Sequence, residues 1–182
     1  AANQQVLQNA QVIVADANIP AETLVYLAEN CSAPIFCDPV STTKAEKLRP
    51  ILNRIHTLKP NRLEAELLSG VKIQTKEDVE KAADKLLELG VHRLFISLGS
   101  EGAYAAMGGE RLWLRNLPGH MVNTTGCGDA FMAALGWAYL EGMDLRETAL
   151  AGLAAGAIAM ESEETISPAM SATAVNNRMK NT

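Results

Sequence analysis

Short apolar runs that alternate with helical patterns constrain the fold of this chain more than any other feature. Val12–Ala15, Pro34–Cys37 and Arg93–Leu98 are mostly apolar and have the length of strands. Between such runs lie amphipathic segments, of which residues 76–90 are the clearest. Buried strands separated by helices form parallel βαβ units. We therefore predict an α/β fold with a doubly wound, mostly parallel sheet.

The pattern changes after the last of these strands. Two further strands, at residues 103–107 and 111–117, are separated by Gly108-Gly109, which is typical of a hairpin turn. The sheet is therefore expected to carry an antiparallel hairpin at its edge. Three helices are predicted to follow, the first two rich in small residues: 128–141, 144–160 and 172–180.

Polar and glycine-rich positions follow the predicted strands. These positions are Asp38, Asn61, Gly99–Gly102 and the loop at residues 123–129. In open α/β sheets, ligands bind beside the carboxyl ends of the strands. We expect these four positions to converge on one crevice that binds a nucleotide.

The loop that opens the first small-residue helix has the sequence Asn123-Thr124-Thr125-Gly126-Cys127-Gly128-Asp129-Ala130-Phe131. A glycine-rich turn at a helix start leaves N–H groups without intrahelical partners, at the positive end of the helix dipole. Such a turn can bind a phosphate or a developing anion. Asp129 would repel a bound anion, but its carboxylate could take a proton from an attacking hydroxyl. The alternative is an ordinary acid in the first turn of a helix.

Composition narrows the class of protein. A net charge of −5, scattered basic residues and 4% aromatic residues do not indicate a surface for nucleic acid or membrane. No apolar run approaches the ~20 residues of a membrane-spanning helix, and no secretory signal is visible. Three cysteines without metal-ligand spacing indicate reduced thiols in a cytoplasmic protein.

Three motifs, in order along the chain, resemble those of the ribokinase-like (PfkB) sugar and nucleoside kinases. The loop at 123–131 resembles the family's second signature, Lys59–Glu64 its Asn-x-x-Glu element, and Ser97–Gly102 its nucleotide loop. The resemblance implies a kinase that requires ATP and magnesium and phosphorylates a primary hydroxyl of a nucleoside or sugar. Residues 36–41 and Asn123 are most similar to the branch that acts on pseudouridine, which implies pseudouridine 5′-phosphate as the product. The alternatives are another ribokinase-like sugar kinase or, for this segment, a non-catalytic nucleotide-binding module.

The resemblance also implies roles for individual residues of the loop. Asp129 would be the base that deprotonates the substrate hydroxyl. The N–H groups of Gly126, Cys127 and Gly128 would stabilise the charge on the transferring phosphoryl group.

A second set of residues would bind the nucleotide and its metal. Asn61 and Glu64 would act on the phosphates through magnesium and its waters. The nucleotide would be lined by Asn61, Ser97, Gly99, Gly102 and Thr125. Without a ligand, Asn61 is a helix N-cap, Glu64 an exposed helix residue, and the glycines mark a turn.

Four features of the sequence each allow two interpretations. The small residues of 153–157 either lie under the adenine or allow ordinary tight helix packing. Asp38 either orients substrate or metal, or forms a turn. Cys127 replaces the family's usual alanine and is either a reactive thiol at a helix start or a small packing residue. Asn123 stands where relatives have an aspartate that helps to bind a monovalent cation, which leaves potassium dependence open.

The resemblance extends over residues 1–182, as the nucleotide-binding and catalytic part of a longer kinase domain. Family members carry an additional N-terminal segment with the first glycine-rich signature, the lid sheet and most sugar contacts. Ala1 is therefore expected to lie after that segment, so the acceptor site would be incomplete. Pairing through the lid would make the full-length protein a homodimer.

Overall fold

The computed structural model describes residues 4–180, which form two compact units. The first unit comprises residues 4–98 and 104–111, and the second comprises 99–103 and 112–180. Residues 1–10, whose sequence is typical of the end of a helix that leads into the first strand, lie only partly within the described residues, which begin at residue 4.

Six strands form one sheet, and their order in space follows the chain. The strands are β1 Ile13–Asp16, β2 Ile35–Asp38, β3 Ile55–Leu58, β4 Arg93–Ser97, β5 Ala103–Met107 and β6 Glu110–Leu114. The first four pair in parallel, with Ile13 opposite Ile35 and Thr57 opposite Arg93. β5 and β6 are neighbours joined by only two residues, so they pair antiparallel. The predicted parallel sheet with an antiparallel hairpin is confirmed.

Eight α-helices lie within the described residues: α1 Gln4–Gln8, α2 Ala21–Asn30, α3 Thr42–Ala45, α4 Arg62–Ser69, α5 Lys76–Glu88, α6 Cys127–Leu140, α7 Leu145–Met160 and α8 Ala172–Lys180. Short 3₁₀ segments cover Glu46–Arg54 and Gly99–Glu101. Between residues 4 and 180, no helix combines the length and the apolar character that crossing a bilayer requires.

The core of the first unit forms on the parallel strands. Phe36 on β2, Ile55 on β3 and Phe95 on β4 are almost completely buried. Strands covered on both faces have consecutive apolar residues, as Leu94-Phe95-Ile96 in β4. β1 ends the strand order, and Val14 on it is 53% exposed. This core fixes the carboxyl ends of β2, β3 and β4, where the polar residues of the unit lie.

The second unit contains a helical layer in which α6 packs against α7 and α7 against α8. Phe131, in the second turn of α6, lies over Gly152 of α7. A β-carbon at Gly152 would be only 2.3 Å from Cε1 of Phe131, so glycine is needed for this contact. The packing holds the start of α6 in place, and that start is the glycine-rich loop.

Candidate active site

An ion pair joins the ends of β2 and β3. Nζ of Lys59 lies 2.8 Å from Oδ2 of Asp38, and Lys59 is only 5% exposed. The other carboxylate oxygen, Oδ1, accepts a hydrogen bond from the N–H of Val40, which has a φ of 67°. A β-branched residue rarely adopts this conformation. In this structure Asp38 therefore stabilises a strained turn and the charge of a buried lysine.

Asn61 and Glu64 form a complete capping box at the start of α4. Oδ1 of Asn61 accepts a hydrogen bond from the N–H of Glu64 at 2.9 Å, and Oε2 of Glu64 accepts one from the N–H of Asn61 at 2.8 Å. This arrangement satisfies two N–H groups of the helix start. The N-cap role predicted for Asn61 is present, but Glu64 is 2% exposed and is not a surface residue.

The buried carboxyl of Glu64 is sensitive to the charges around it. Burial raises its pKa, and the nearby Asp38 raises the pKa further. Hydrogen bonds from Asn61 and the charge of Lys59 act in the opposite direction. A cation near Glu64 would favour the ionised form in the same way as Lys59 does.

Ser97 lies beside Asn61 at the end of β4. The two residues form a parallel bridge, and the N–H of Ser97 donates to the carbonyl of Pro60 at 2.9 Å. Asp38, Asn61 and Ser97 thus follow three adjacent parallel strands of the first unit. Of the four positions predicted to converge, Gly99–Gly102 and the 123–129 loop belong to the second unit, and their convergence with Asp38 and Asn61 stays a prediction.

The two glycines after β4 have different environments. Gly99 has a φ of 60° and open space around it, and its carbonyl accepts a hydrogen bond from Nδ2 of Asn116 at 2.8 Å. Gly102 has a φ of 98°, and a β-carbon there would be 2.0 Å from the carbonyl oxygen of Leu114. The close approach to the end of β6 explains Gly102 without a ligand, and it does not explain Gly99.

Gly126 is the N-cap of α6 and has a φ of 84°. A β-carbon at this position would be 2.3 Å from the carbonyl oxygen of Thr165. Both the left-handed conformation and the close approach therefore require glycine. The turn is further fixed by Asn123, whose Oδ1 accepts a hydrogen bond from the N–H of Thr125 at 2.9 Å.

The N–H groups of this turn are only partly used within the chain. Cys127 donates to the carbonyl of Thr124, but for Gly126, Gly128 and Asp129 residues 4–180 supply no backbone or side-chain acceptor. Three N–H groups at a helix start are thus available to an anion, together with the positive end of the dipole. The prediction named the N–H groups of Gly126, Cys127 and Gly128. In the structure the available groups are those of Gly126, Gly128 and Asp129.

The side chain of Asp129 is exposed, and no hydrogen bond or ion pair joins it to another of the described residues. It does not cap α6. The thiol of Cys127 is half-buried, and burial raises its pKa. The raised pKa favours the packing role over a reactive thiolate.

Two features of the site were not identified from sequence. Lys59 gave no signal beyond its place at the end of a strand, two residues before Asn61. The contact between Gly126 and Thr165 joins residues distant in sequence, and no local pattern indicates it. The small residues of α7, by contrast, were identified, and Gly152 is explained by its contact with Phe131.

A parallel α/β sheet and a glycine turn with available N–H groups at a helix start are typical of α/β proteins that bind phosphate groups. The particular family is defined by comparison. The model of the pfkB family of carbohydrate kinases matches residues 1–172, and the chain belongs to this family.

Known proteins agree with this assignment. The chain is 41% identical over 177 residues to pseudouridine kinase of Escherichia coli K12, and the match covers 96% of the chain and 56% of that protein. A crystal structure from Clostridium perfringens, provisionally described as a sugar kinase, superposes with a TM-score of 0.93 at 31% identity over 99% of the chain and 57% of its own. Arabidopsis thaliana ribokinase, solved with ribose and ATP, superposes with a TM-score of 0.84 at 26% identity over 98% of the chain and 59% of its own. The chain thus spans somewhat more than half the length of these relatives.

Proposed function

We propose that the protein containing this chain is an ATP-dependent kinase that phosphorylates the primary hydroxyl of pseudouridine, giving pseudouridine 5′-phosphate. The observation that carries the proposal is the turn at Gly126–Asp129, where N–H groups and the carboxylate of Asp129 have no hydrogen-bond partner among residues 4–180. Family membership and the 41% identity to a pseudouridine kinase support the choice of reaction and of acceptor.

The glycine turn would stabilise the phosphoryl group during transfer. The N–H groups of Gly126 and Gly128 lie at the positive end of α6. The N–H of Cys127 lies between them and donates to the carbonyl of Thr124. Donors aimed at charge that develops in the transition state lower the barrier, because they need no reorganisation during the reaction. Asp129, which is exposed and has no ion-pair partner in the described part of the chain, would accept the proton of the attacking hydroxyl.

Asn61 and Glu64 are suited to magnesium held through water. Both offer oxygen atoms, but Oδ1 of Asn61 and Oε2 of Glu64 already serve the capping box. The described residues contain no group of three acids, histidines or cysteines that could hold a metal directly. Magnesium, which commonly keeps several waters, would neutralise phosphate charge when bound with ATP. Ser97, Gly99, Gly102 and Thr125 would line the nucleotide.

A sugar rather than a nucleoside as acceptor is the second candidate. The observation that favours it is the structural similarity to a ribokinase solved with ribose and ATP. A third possibility concerns this chain taken alone, which would bind nucleotide without catalysis. The acceptor would be a small molecule in each kinase, and a homodimer of the full-length protein stays a prediction.

Turnover of ATP with a panel of nucleosides and sugars tests the proposal. The natural full-length protein is expected to prefer pseudouridine, and Asp129→Asn to lose about 100- to 10,000-fold in kcat, the usual contribution of a positioned base. Asp144→Asn is the matched control, because Asp144 only caps α7 and asparagine caps equally well. Unchanged turnover in Asp129→Asn would exclude this base, and preference for ribose would favour the second candidate.

Glu64→Gln separates the metal role of Glu64 from its structural role. Glutamine can also complete a capping box, so α4 should keep its stability. Only the negative charge is lost, and we expect weaker dependence of turnover on magnesium and a lower kcat. Asp78→Asn offers a control, because Asp78 closes the capping box of α5. If Glu64→Gln titrates with magnesium like the wild type, Glu64 is a cap residue alone.

A further inference from the structure

Asn123 links the glycine turn to a second segment of the chain. Its Oδ1 accepts a hydrogen bond from the N–H of Thr125 at 2.9 Å, inside the turn. Its Nδ2 donates to the carbonyl of Glu163 at 3.3 Å, in the segment after α7. The backbone N–H of Asn123 donates to the carbonyl of Met160 at 3.1 Å. One side chain therefore connects the loop before α6 with the loop after α7.

Only an amide of this size satisfies both partners. The N–H of Thr125 can only donate, so the atom facing it must be an acceptor. The carbonyl of Glu163 can only accept, so the atom facing it must be a donor. Aspartate would direct a negatively charged oxygen at that carbonyl, and alanine would reach neither group.

The segment after α7, which contains Glu163 and Thr165, also packs closely against the glycine turn. The carbonyl oxygen of Thr165, two residues after Glu163, would be only 2.3 Å from a β-carbon at Gly126. The turn and this segment are thus in contact without spare room. A shift of the segment at Glu163 would be transmitted through Thr165 to Gly126 and its N–H group.

The segment that Asn123 binds is acidic, so an uncharged side chain at position 123 adds no further negative charge. Glu161, Glu163 and Glu164 give it three acidic residues. Glu161 is paired with Arg178, whereas Glu163 and Glu164 are exposed. A carboxylate at position 123 would add negative charge next to a turn that would receive an anion, unless a bound cation neutralised it, as the resemblance implies for the relatives that have aspartate here.

We propose that Asn123 is a positioning residue that holds the N–H groups of Gly126 and Gly128 in the geometry needed for phosphoryl transfer. The inference rests on the proposed kinase function. In this role Asn123 acts indirectly, through its hydrogen bonds with Thr125 and with the segment at Glu163.

The test uses Asn123→Ala and Asn123→Asp in the natural full-length protein, with Asn30→Ala and Asn30→Asp as matched controls. Asn30 on α2 also donates its Nδ2 to a main-chain carbonyl, that of Tyr26 at 2.9 Å. The measurements are kcat and KM for each substrate, the thermal midpoint, and amide hydrogen exchange at Thr125.

Asn123→Ala is expected to exchange faster at Thr125, whereas Asn123→Asp keeps an acceptor for the N–H of Thr125 and loses only the donor to Glu163. kcat should fall by about 10- to 100-fold, as expected for a misplacement of up to about 1 Å, with the larger loss in the aspartate variant. KM for the acceptor should stay unchanged, and the Asn30 variants should behave as the wild type. Wild-type kcat in both Asn123 variants, or unchanged exchange at Thr125 in Asn123→Ala, overturns the inference. An inactive wild type overturns the proposed function instead, and exchange at Thr125 then reports separately on the link.

Discussion

Substitution of Gly152 by alanine tests the packing that fixes the start of α6. A β-carbon at position 152 would lie 2.3 Å, 2.6 Å and 2.7 Å from three ring atoms of Phe131. Ordinary contacts begin near 3.4 Å, so the ring or the helix must move by about 1 Å to accept the methyl group. Both residues are buried, which leaves little room for that movement.

Two opposing terms give the size of the effect. Overpacking of a core costs about 1–3 kcal/mol, and the severe overlap here favours the upper end. Replacement of glycine by alanine inside a helix gains about 1 kcal/mol. We therefore expect a net loss of about 2 kcal/mol, or about 4–8 °C in the thermal midpoint of a chain of this size.

Gly156→Ala is the matched control, one turn further along α7. The nearest atom outside its own helix would be the carbonyl oxygen of Cys127 at 3.8 Å, an ordinary contact. This variant should gain about 1 kcal/mol from helix propensity alone. Thermal and urea unfolding measure both variants, and Gly152→Ala combined with Phe131→Leu should recover part of the loss. Equal stabilisation by both alanines would refute the packing argument.

Three further predictions follow from single residues. Both polar side-chain atoms of Asn123 are already hydrogen-bonded, Oδ1 to Thr125 and Nδ2 to Glu163. If the full-length protein is the proposed kinase, replacing potassium by choline should therefore leave its turnover unchanged, and strong potassium stimulation would contradict this. Burial, with the charges of His92 and Arg93, lowers the pKa of His56 to about 4. Between about pH 6.5 and 4 the unfolded state therefore binds a proton that the folded state does not, and the free energy of unfolding should fall as the pH drops through this range. Urea unfolding against pH should show this slope, and His56→Gln should flatten it. Because burial raises the pKa of Cys127, iodoacetamide should label it more slowly than an unfolded-chain cysteine in mass spectrometry, and equal rates would argue for a reactive thiol.

Local sequence signals predicted the helices more closely than the strand ends. α8 covers the predicted 172–180, and α6 begins one residue before the predicted 128. Helix bounds depend on caps and turn residues, which lie within a few positions in sequence. β6, predicted to reach residue 117, ends at Leu114. Its carbonyl meets Gly102, and Asn116 binds the carbonyl of Gly99, contacts that no local pattern reveals.

The same limit applies to the candidate site. The glycine turn and its N–H groups follow from a short stretch of sequence, and so does the cap at Asn61. The raised pKa of Glu64 does not, because it depends on burial in the folded structure and on the charges of Asp38 and Lys59 at neighbouring strand ends. Residue types at strand ends predicted the chemistry, whereas the partners that tune it came from tertiary contacts.

Two acids at the starts of neighbouring helices show how structure separates a structural role from a functional one. Asp144 accepts a hydrogen bond from the N–H of Glu147 at 2.8 Å and completes a capping box, so the stability of α7 accounts for it. Asp129 stands at the start of α6 without capping it, since Gly126 is the N-cap and supplies no side chain. The only structural reason for an acid at this position is therefore its interaction with the helix dipole, which contributes about 0.3–1 kcal/mol. That interaction does not explain why the carboxylate is exposed beside N–H groups without partners among the described residues. Proton transfer from a hydroxyl that approaches those N–H groups requires both features, and this makes Asp129 the residue on which the kinase proposal depends most.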